Sequence, residues 1–311
     1  MVLATSTPRL IALRIDGAII STPVPAGFGP EVCFTVTIPR NRRPERLYAI
    51  TNSCRSLQIW QAWLVQSSTT DVPTRDGVAD CYLTRPPGDG VHPGVLFLMD
   101  AIGLRPRIEE MADRIAAQGY VVLAPNVFYR GGRAPLWETP DLHDPESRGS
   151  FFRTLGPLMA ALTPAAVAAD GEAYLRKLGE LADGPVGVTG YCFGGWAGWV
   201  IGAAHPDRVA AIGGFHAGRM VTEDETSAHL LAPGVRAEVY WGHADQDPSM
   251  TAENIATLDQ AMDDAGVRHT TEVYEGAEHG YTMSDTGAYS EVAAERHFTA
   301  LFALLRRAIP Q

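Results

Sequence analysis

The sequence contains very little lysine, little cysteine and no long apolar segment. Lys177 is the single lysine among 311 residues, and the net charge is −11. Without a basic stripe, the chain has no surface suited to a polyanion, which excludes nucleic acid as an expected partner. The four cysteines show no CxxC pair or metal-ligand spacing, so we expect neither a metal nor another cofactor, and no disulfide in a reducing compartment.

No apolar run approaches the roughly 18 residues that a membrane-spanning helix needs. The first residues lack the charged-then-apolar pattern of a secretion signal, because Pro8, Arg9, Arg14 and Asp16 interrupt it. We therefore expect a soluble cytoplasmic protein that does not bind membranes. A hydrophobic content of 46% is enough for a sizeable core, and the length suits one α/β domain of about 240 residues with an appendage.

Residues 1–64 differ in character from the rest of the chain. Residues 1–66 carry seven arginines against three acidic residues, and their hydrophobic periodicity is irregular. We expect them to be an N-terminal extension that is spurious or poorly ordered, with the natural start near Val65 and the domain over residues 65–311. The alternative is a small N-terminal module with strands over Ile11–Ile20 and Val32–Ile38.

One stretch, Val186–Trp196, has the pattern of a strand, a sharp turn and a helix. Cys192 lies at the apex, with Gly190 two residues before it and Gly194 two residues after it. This is the Gly-x-Cys-x-Gly form of the nucleophile elbow, in which strand and helix cross so closely that the flanking residues must be small. The helix start favours a thiolate at Cys192. The alternative is an inert buried cysteine.

From Thr69 onward, strands alternate with helices. A hairpin around Asp76-Gly77 is followed by the apolar runs Gly94–Met99 and Tyr120–Ala124. Further strands are predicted over Val209–Phe215, Ala237–Trp241 and His269–Tyr274, with helices at Pro106–Gln118, Ala165–Leu181, Gly194–Ala204, Thr251–Ala265 and Thr286–Arg307. This alternation predicts an α/β fold with a mostly parallel, doubly wound sheet flanked by helices, as in α/β-hydrolases.

Residues 126–163 form a long segment that we expect to be an irregular insertion. Loops of this length in compact domains are usually functional. We take Tyr129 and Trp137 from it as candidate substrate contacts, together with Tyr281, which follows the proposed catalytic histidine.

Two loops after predicted strands carry candidate partners for Cys192. Asp245 lies in the first and His279 in the second, so nucleophile, acid and histidine follow the chain order of α/β-hydrolases. His279 would act as the base and Asp245 would orient it. Asp247 is the alternative acid. The alternatives to His279 are His243, His216 and His205, of which we expect His205 to be structural.

Acyl transfer also needs donors for the developing oxyanion. The backbone N–H of Phe193, directly after the nucleophile, is one candidate. The second is expected from the loop after the earlier strand, at Ala101.

Together these residues resemble the dienelactone hydrolase family over about residues 69–308. The resemblance rests on Gly190-Tyr191-Cys192-Phe193-Gly194-Gly195, Gly242-x-x-Asp245, Gly276-x-x-His279-Gly280 and the Asp100-x-x-Gly103 loop. It implies a cofactor-free hydrolase with a cysteine nucleophile.

The resemblance also implies roles for residues around the thiol. Asp100 stands where the family has a glutamate that contacts the resting thiol, so Asp100 is expected to modulate Cys192. Phe152 and Met283 stand where family members that cleave dienelactone have carboxylate-binding arginines. Arg153, beside Phe152, is the remaining candidate ligand for a substrate carboxylate. A neutral ester or lactone is therefore favoured over a charged dienelactone.

We predict a carboxylic-ester hydrolase that cleaves a small ester or lactone through Cys192, His279 and Asp245 with an acyl-enzyme, as a monomer or weak homodimer. Two alternatives remain. One is a non-catalytic protein that binds a small carbonyl compound, and the other is acyl transfer or dehalogenation on the same fold.

Overall fold

The computed structural model describes residues 10–15, 18–23 and 65–311, and the chain divides into two units, Met1–Trp63 and Leu64–Gln311. In the first unit, strands β1 (Leu10–Ile15) and β2 (Ala18–Pro23) pair antiparallel, with Ile15 opposite Ala18. The prediction of one strand over Ile11–Ile20 is therefore wrong, because the chain reverses within it. The predicted strand Val32–Ile38 lies outside the described residues. Whether residues 1–64 belong to the natural protein stays a prediction.

The second unit contains an eight-stranded sheet in the order β10-β9-β8-β7-β5-β6-β4-β3. The strands are β3 (Gln66–Thr74), β4 (Gly77–Arg85), β5 (Pro93–Leu98), β6 (Val121–Pro125), β7 (Asp183–Tyr191), β8 (Val209–Phe215), β9 (Glu238–Gln246) and β10 (His269–Glu278). β3 and β4 form the predicted hairpin and join the sheet antiparallel, and all other neighbours are parallel. The α/β-hydrolase architecture predicted from the alternating pattern is confirmed.

Six helices flank this sheet in the described part of the chain. They are α1 (Pro106–Ala116), α2 (Pro145–Ala161), α3 (Pro164–Gly179), α4 (Phe193–Ala204), α5 (Ala252–Asp264) and α6 (Glu291–Ala308). Short polar side chains cap several of them: Thr163, Thr251 and Ser290 each accept a hydrogen bond from the backbone N–H three residues ahead. α2 lies within the segment predicted to be irregular, where Asp144 caps it and Pro145 begins it.

The core follows from the apolar runs. β5 and β6 are buried almost throughout because helices cover both faces of the sheet. α4 is buried on nearly all sides and lies directly behind β7. In the described residues no single helix is long and apolar enough to cross a membrane; α2 and α3 meet that length and composition only as a bent pair.

Candidate active site

Cys192 lies at a sharp turn between β7 and α4. Its backbone has φ of 55°, in the left-handed region that a non-glycine residue rarely adopts, and its N–H donates to the Phe215 carbonyl at 3.1 Å. A Cβ at Gly190 would overlap the backbone carbonyl of Gly194, and a Cβ at Gly194 would overlap that of Leu98. The elbow geometry predicted from the two glycines is therefore present, with the half-exposed Cys192 side chain at its apex.

The histidine and its carboxylate come from the loops after β10 and β9. His279 Nδ1 lies 2.5 Å from Oδ2 of Asp247. The other Asp247 oxygen, Oδ1, accepts from the backbone N–H and the hydroxyl of Ser249 at 2.9 and 2.6 Å. Asp245 is exposed instead, and its carboxylate accepts only from the Gly276 N–H at 3.0 Å in the described residues. The preference for Asp245 as the orienting acid was wrong, because Asp247 is the carboxylate that bonds His279. Residues two apart in a strand face the same side, but β9 ends at Gln246 and a turn begins at Asp247, whose carbonyl accepts from the Met250 N–H at 3.1 Å, so the two carboxylates point in different directions.

His279 and Cys192 interact directly. Burial opposes protonation of His279, but charge attraction to Cys192 and hydrogen bonds to Asp247 and Cys192 outweigh it and raise the pKa of His279 well above its usual range. Burial would raise the pKa of Asp247, yet the hydrogen bond and charge of His279, with the Ser249 donors, keep it lowered. The raised pKa of His279 and the lowered pKa of Asp247 favour an imidazolium–carboxylate pair next to the Cys192 side chain.

The other candidate histidines occupy supporting positions. His216 is buried, and its ring centroid lies 5.2 Å from that of His279, while its Nε2 is 2.8 Å from the Thr282 hydroxyl. His243 is buried beside Asp247, and burial lowers its pKa to about 4 despite that carboxylate. His205 bonds the Ala168 carbonyl at 2.9 Å, which agrees with the structural role expected for it.

The loop after β5 carries the second candidate oxyanion donor. Ala101 is half-exposed, and the residues around it are fixed: Ile102 N–H donates to Asp100 Oδ1 at 3.0 Å, and the Trp137 indole donates to the Ile102 carbonyl at 2.6 Å. Phe193 begins α4, so its N–H has no acceptor within the helix. Ala101 and Phe193 thus follow the neighbouring strands β5 and β7, and their role as oxyanion donors stays a prediction.

Asp100 has a different partner from the one expected. Arg105 donates to both of its carboxylate oxygens, at 2.7 and 3.0 Å, and the same guanidinium donates to Asp285 at 2.6 and 3.2 Å. Every hydrogen bond that the structure shows for this carboxylate goes to Arg105 or Ile102. The expectation that Asp100 contacts the thiol is therefore not met, because the shorter side chain is held by a buried arginine.

Two candidate substrate contacts are structural. The Tyr129 hydroxyl donates to Asp170 at 2.9 Å, and burial raises the pKa of Tyr129 to about 12. Tyr281 is fully buried and its hydroxyl donates to the Gly242 carbonyl at 3.0 Å. Both were wrong as substrate contacts, because their hydroxyls are already used inside the protein.

Three further residues named in the sequence analysis remain to be placed. Trp137 is half-buried over the Ile102 carbonyl, so it borders the oxyanion loop. Arg153 is exposed on α2 beside Phe152, which is also exposed. Met283 is buried in the core.

A family comparison decides the classification. The model of the dienelactone hydrolase family matches residues 79–309. The chain belongs to the dienelactone hydrolase family. The match covers most of the second unit, including the elbow and both loops that carry Asp247 and His279.

Two curated proteins and one solved structure show what this dienelactone hydrolase family member is similar to. Two bacterial proteins named "Putative carboxymethylenebutenolidase" are each 25% identical to it: one from Salmonella typhi, over 74% of this chain and 83% of its own, and one from Synechocystis, over 74% and 92%. A crystal structure described as "Putative Dienelactone Hydrolase" from Klebsiella pneumoniae aligns with a TM-score of 0.69 at 21% identity, over 78% of this chain and 99% of its own. That structural likeness confirms the fold.

The sequence analysis missed several residues of this site. Ser249 follows Asp247 by two residues, a spacing typical of a local side-chain turn, and could have favoured Asp247 over Asp245. Arg105 and Asp285 are 180 residues apart, and only the fold brings them together. His216 was named, but only as an alternative base.

Proposed function

We propose that this dienelactone hydrolase family member cleaves a carboxylic ester or lactone with Cys192 as nucleophile, His279 as acid and base, and Asp247 as the orienting carboxylate. The observation that carries the proposal is the 2.5 Å contact between His279 Nδ1 and Asp247, which leaves Nε2 for the Cys192 thiol. The small-molecule ester or lactone substrate, the cytoplasmic location and the monomeric or weakly dimeric state remain predictions from the sequence.

In the first half of the reaction the Cys192 thiolate attacks the carbonyl carbon, a C–S bond forms, and the carbonyl π electrons move to oxygen. The N–H groups of Phe193 and Ala101 stabilise that oxyanion. When it collapses, the bond to the leaving oxygen breaks, and His279 gives that oxygen its Nε2 proton. The product of this half is a thioester on Cys192.

In the second half, a water molecule attacks the thioester carbonyl while His279 Nε2 takes a proton from that water. The C–S bond breaks, the carboxylic acid leaves, and the Cys192 thiolate and protonated His279 are restored. Throughout, the Asp247 carboxylate stabilises the imidazolium and fixes its ring.

The test is the replacement Cys192→Ala, with p-nitrophenyl acetate as substrate. We expect loss of turnover and, by mass spectrometry of wild type mixed rapidly with substrate, one acetyl group on Cys192. Cys81→Ala, which removes a buried thiol with no catalytic role, is the matched control and keeps its activity. Undiminished turnover in Cys192→Ala would refute the proposal.

A further inference from the structure

His216 is a buried histidine that the proposed reaction does not use. It directly follows β8, and only 1% of it is exposed. Its ring centroid lies 5.2 Å from that of His279, with the two ring planes at 67°. Its Nε2 lies 2.8 Å from the hydroxyl of Thr282, a buried residue three positions after His279. His216 therefore contacts both the ring of the proposed base and the segment of chain that follows it.

Two features of His216 are unfavourable for stability. Its φ of 40° lies in the left-handed region, where a residue with a side chain is strained. Its Nδ1 is buried and has no hydrogen-bond partner in the part of the chain that the structure describes, so this atom loses its hydration without compensation. Strained backbone and unpartnered buried polar atoms concentrate at functional sites. The position is therefore better suited to a histidine with a function than to one that only fills the core.

The backbone at His216 is fixed by the neighbouring strands. The carbonyl of Phe215 accepts from the Cys192 N–H at 3.1 Å, and the His216 N–H donates to the Gly242 carbonyl on β9 at 2.8 Å. The His216 ring also lies beside that of Tyr191, directly before Cys192, at a centroid distance of 6.1 Å. The elbow and β9 thus determine where the His216 ring lies.

His279 needs more than its carboxylate partner to keep one orientation. Asp247 holds it at a single atom, Nδ1, and a bond at one atom still allows the ring to rotate about that contact. The His216 ring, fixed by the strands, limits this rotation. The backbone two residues later packs against the same ring, since a Cβ at Gly218 would lie 3.5 Å from Cε1 of His279. The bond to Thr282 holds the chain after His279 at a second point.

The charge state of His216 suits this position. In the proposed reaction His279 carries a proton while the thioester forms, and a second imidazolium beside it would repel that charge. Burial lowers the pKa of His216 well below its usual range, and the charges of His279 and His297 lower it further. A neutral ring can therefore lie against the protonated base at low electrostatic cost.

We propose that His216 is a positioning residue, whose ring and hydrogen bond to Thr282 hold His279 in the orientation that proton transfer requires. This rests on the proposed function and adds a residue that acts through His279. Displacements of about 1 Å in a catalytic group can lower a rate by up to about 100-fold, so the hydroxyl of Thr282 should matter more to turnover than its methyl group.

The first test separates the hydrogen bond from packing at Thr282. Thr282→Val keeps the shape of the side chain and removes the hydroxyl, whereas Thr282→Ser keeps the hydroxyl and removes a buried methyl group. We expect Thr282→Val to lower kcat/KM for p-nitrophenyl acetate about tenfold or more, and Thr282→Ser to stay within about twofold of wild type. Denaturant titration of both variants checks that the loss follows the hydroxyl rather than the free energy of unfolding.

The second test is a double-mutant cycle. His216→Phe keeps a ring beside His279 but cannot bond Thr282, so it should lower kcat/KM by a factor similar to that of Thr282→Val. The double variant should lie within about twofold of the lower single variant, because both changes remove the same bond, whereas independent effects would multiply to about 100-fold. Tyr82→Phe is the control: it removes a hydrogen bond to Asp113 between β4 and α1, away from the site, and should keep kcat/KM.

Three results would overturn the inference. They are wild-type kcat/KM in a folded Thr282→Val variant, an equal loss in Thr282→Ser, and multiplied losses in the double variant. Failure of the proposed function would instead show as acetate turnover that survives in Cys192→Ala.

Discussion

Replacing Asp247 by asparagine removes one charge from the candidate site while keeping the size of the side chain. The two carboxylate oxygens accept hydrogen bonds from opposite sides, Oδ2 from His279 and Oδ1 from Ser249. An asparagine has one accepting oxygen, so whichever way its amide turns, one set of donors faces an NH₂ group. Asp247→Asn therefore loses either the orientation of His279 or the turn that holds residue 247.

The magnitude follows from burial and charge. The Asp247 side chain is only 2% exposed, so water screens its interaction with His279 poorly. A hydrogen bond between charged groups contributes about 1.5–3 kcal/mol, and removing one partner of a buried pair costs about 3–5 kcal/mol. Taking about 3 kcal/mol as the loss in the transition state, kcat/KM should fall roughly 100-fold or more.

The assay is kcat/KM for p-nitrophenyl acetate as a function of pH, with circular dichroism to verify folding. Loss of the Asp247 charge removes one cause of the raised His279 pKa, so the alkaline limb of the profile should move to lower pH in Asp247→Asn. Asp245→Asn is the matched control. It is exposed and keeps an oxygen for the Gly276 N–H, so its kcat/KM should stay within about twofold of wild type.

The reasoning would be refuted if Asp245→Asn lost more activity than Asp247→Asn. It would equally be refuted if a folded Asp247→Asn variant kept the wild-type rate and pH profile.

Two further predictions concern stability. In a denaturant titration, Gly190→Ala should destabilise the fold by several kcal/mol, because the added methyl group would overlap the Gly194 carbonyl. Gly156→Ala is the control: it has open space around it inside α2 and should stabilise the fold by about 0.5–1 kcal/mol. Equal effects of the two substitutions would contradict the elbow geometry. His297 is buried, and burial, opposed by its bond to the Ala294 carbonyl, lowers its pKa to about 3. As the pH falls below about 6.5, this histidine binds a proton in the unfolded chain but stays neutral in the folded chain. The free energy of unfolding should therefore decrease by about 1.4 kcal/mol per pH unit because of this group. His297→Gln should flatten that slope and the exposed His143→Gln should not; identical slopes would contradict the assignment.

The fold was largely predictable because each element has a local signature. The buried runs of β5 and β6 and the glycine-flanked Cys192 require only neighbouring residues to be recognised. The least accurate prediction concerned residues 126–163, where α2 was missed. Only Phe151 and Leu155 are buried along α2, so its sequence shows almost no amphipathic pattern.

The candidate site was predictable at the level of residue types and chain order. Cys192 and His279 were identified because each follows a strand that ends at the same edge of the sheet. The choice between Asp245 and Asp247 was not, because it depends on which side chain turns inward after β9. The partner of Asp100 was also missed, since Arg105 competes for it through the folded loop rather than through a motif.

The sequence by itself determined the parallel sheet, the elbow and the set of candidate catalytic residue types, because hydrophobic periodicity and small-residue spacing act over a few positions. Only the tertiary structure decided which carboxylate meets His279 and that Arg105 holds Asp100 and Asp285 together. Those outcomes depend on distances between residues far apart in the chain, and such distances are set by how the strands pack into one sheet.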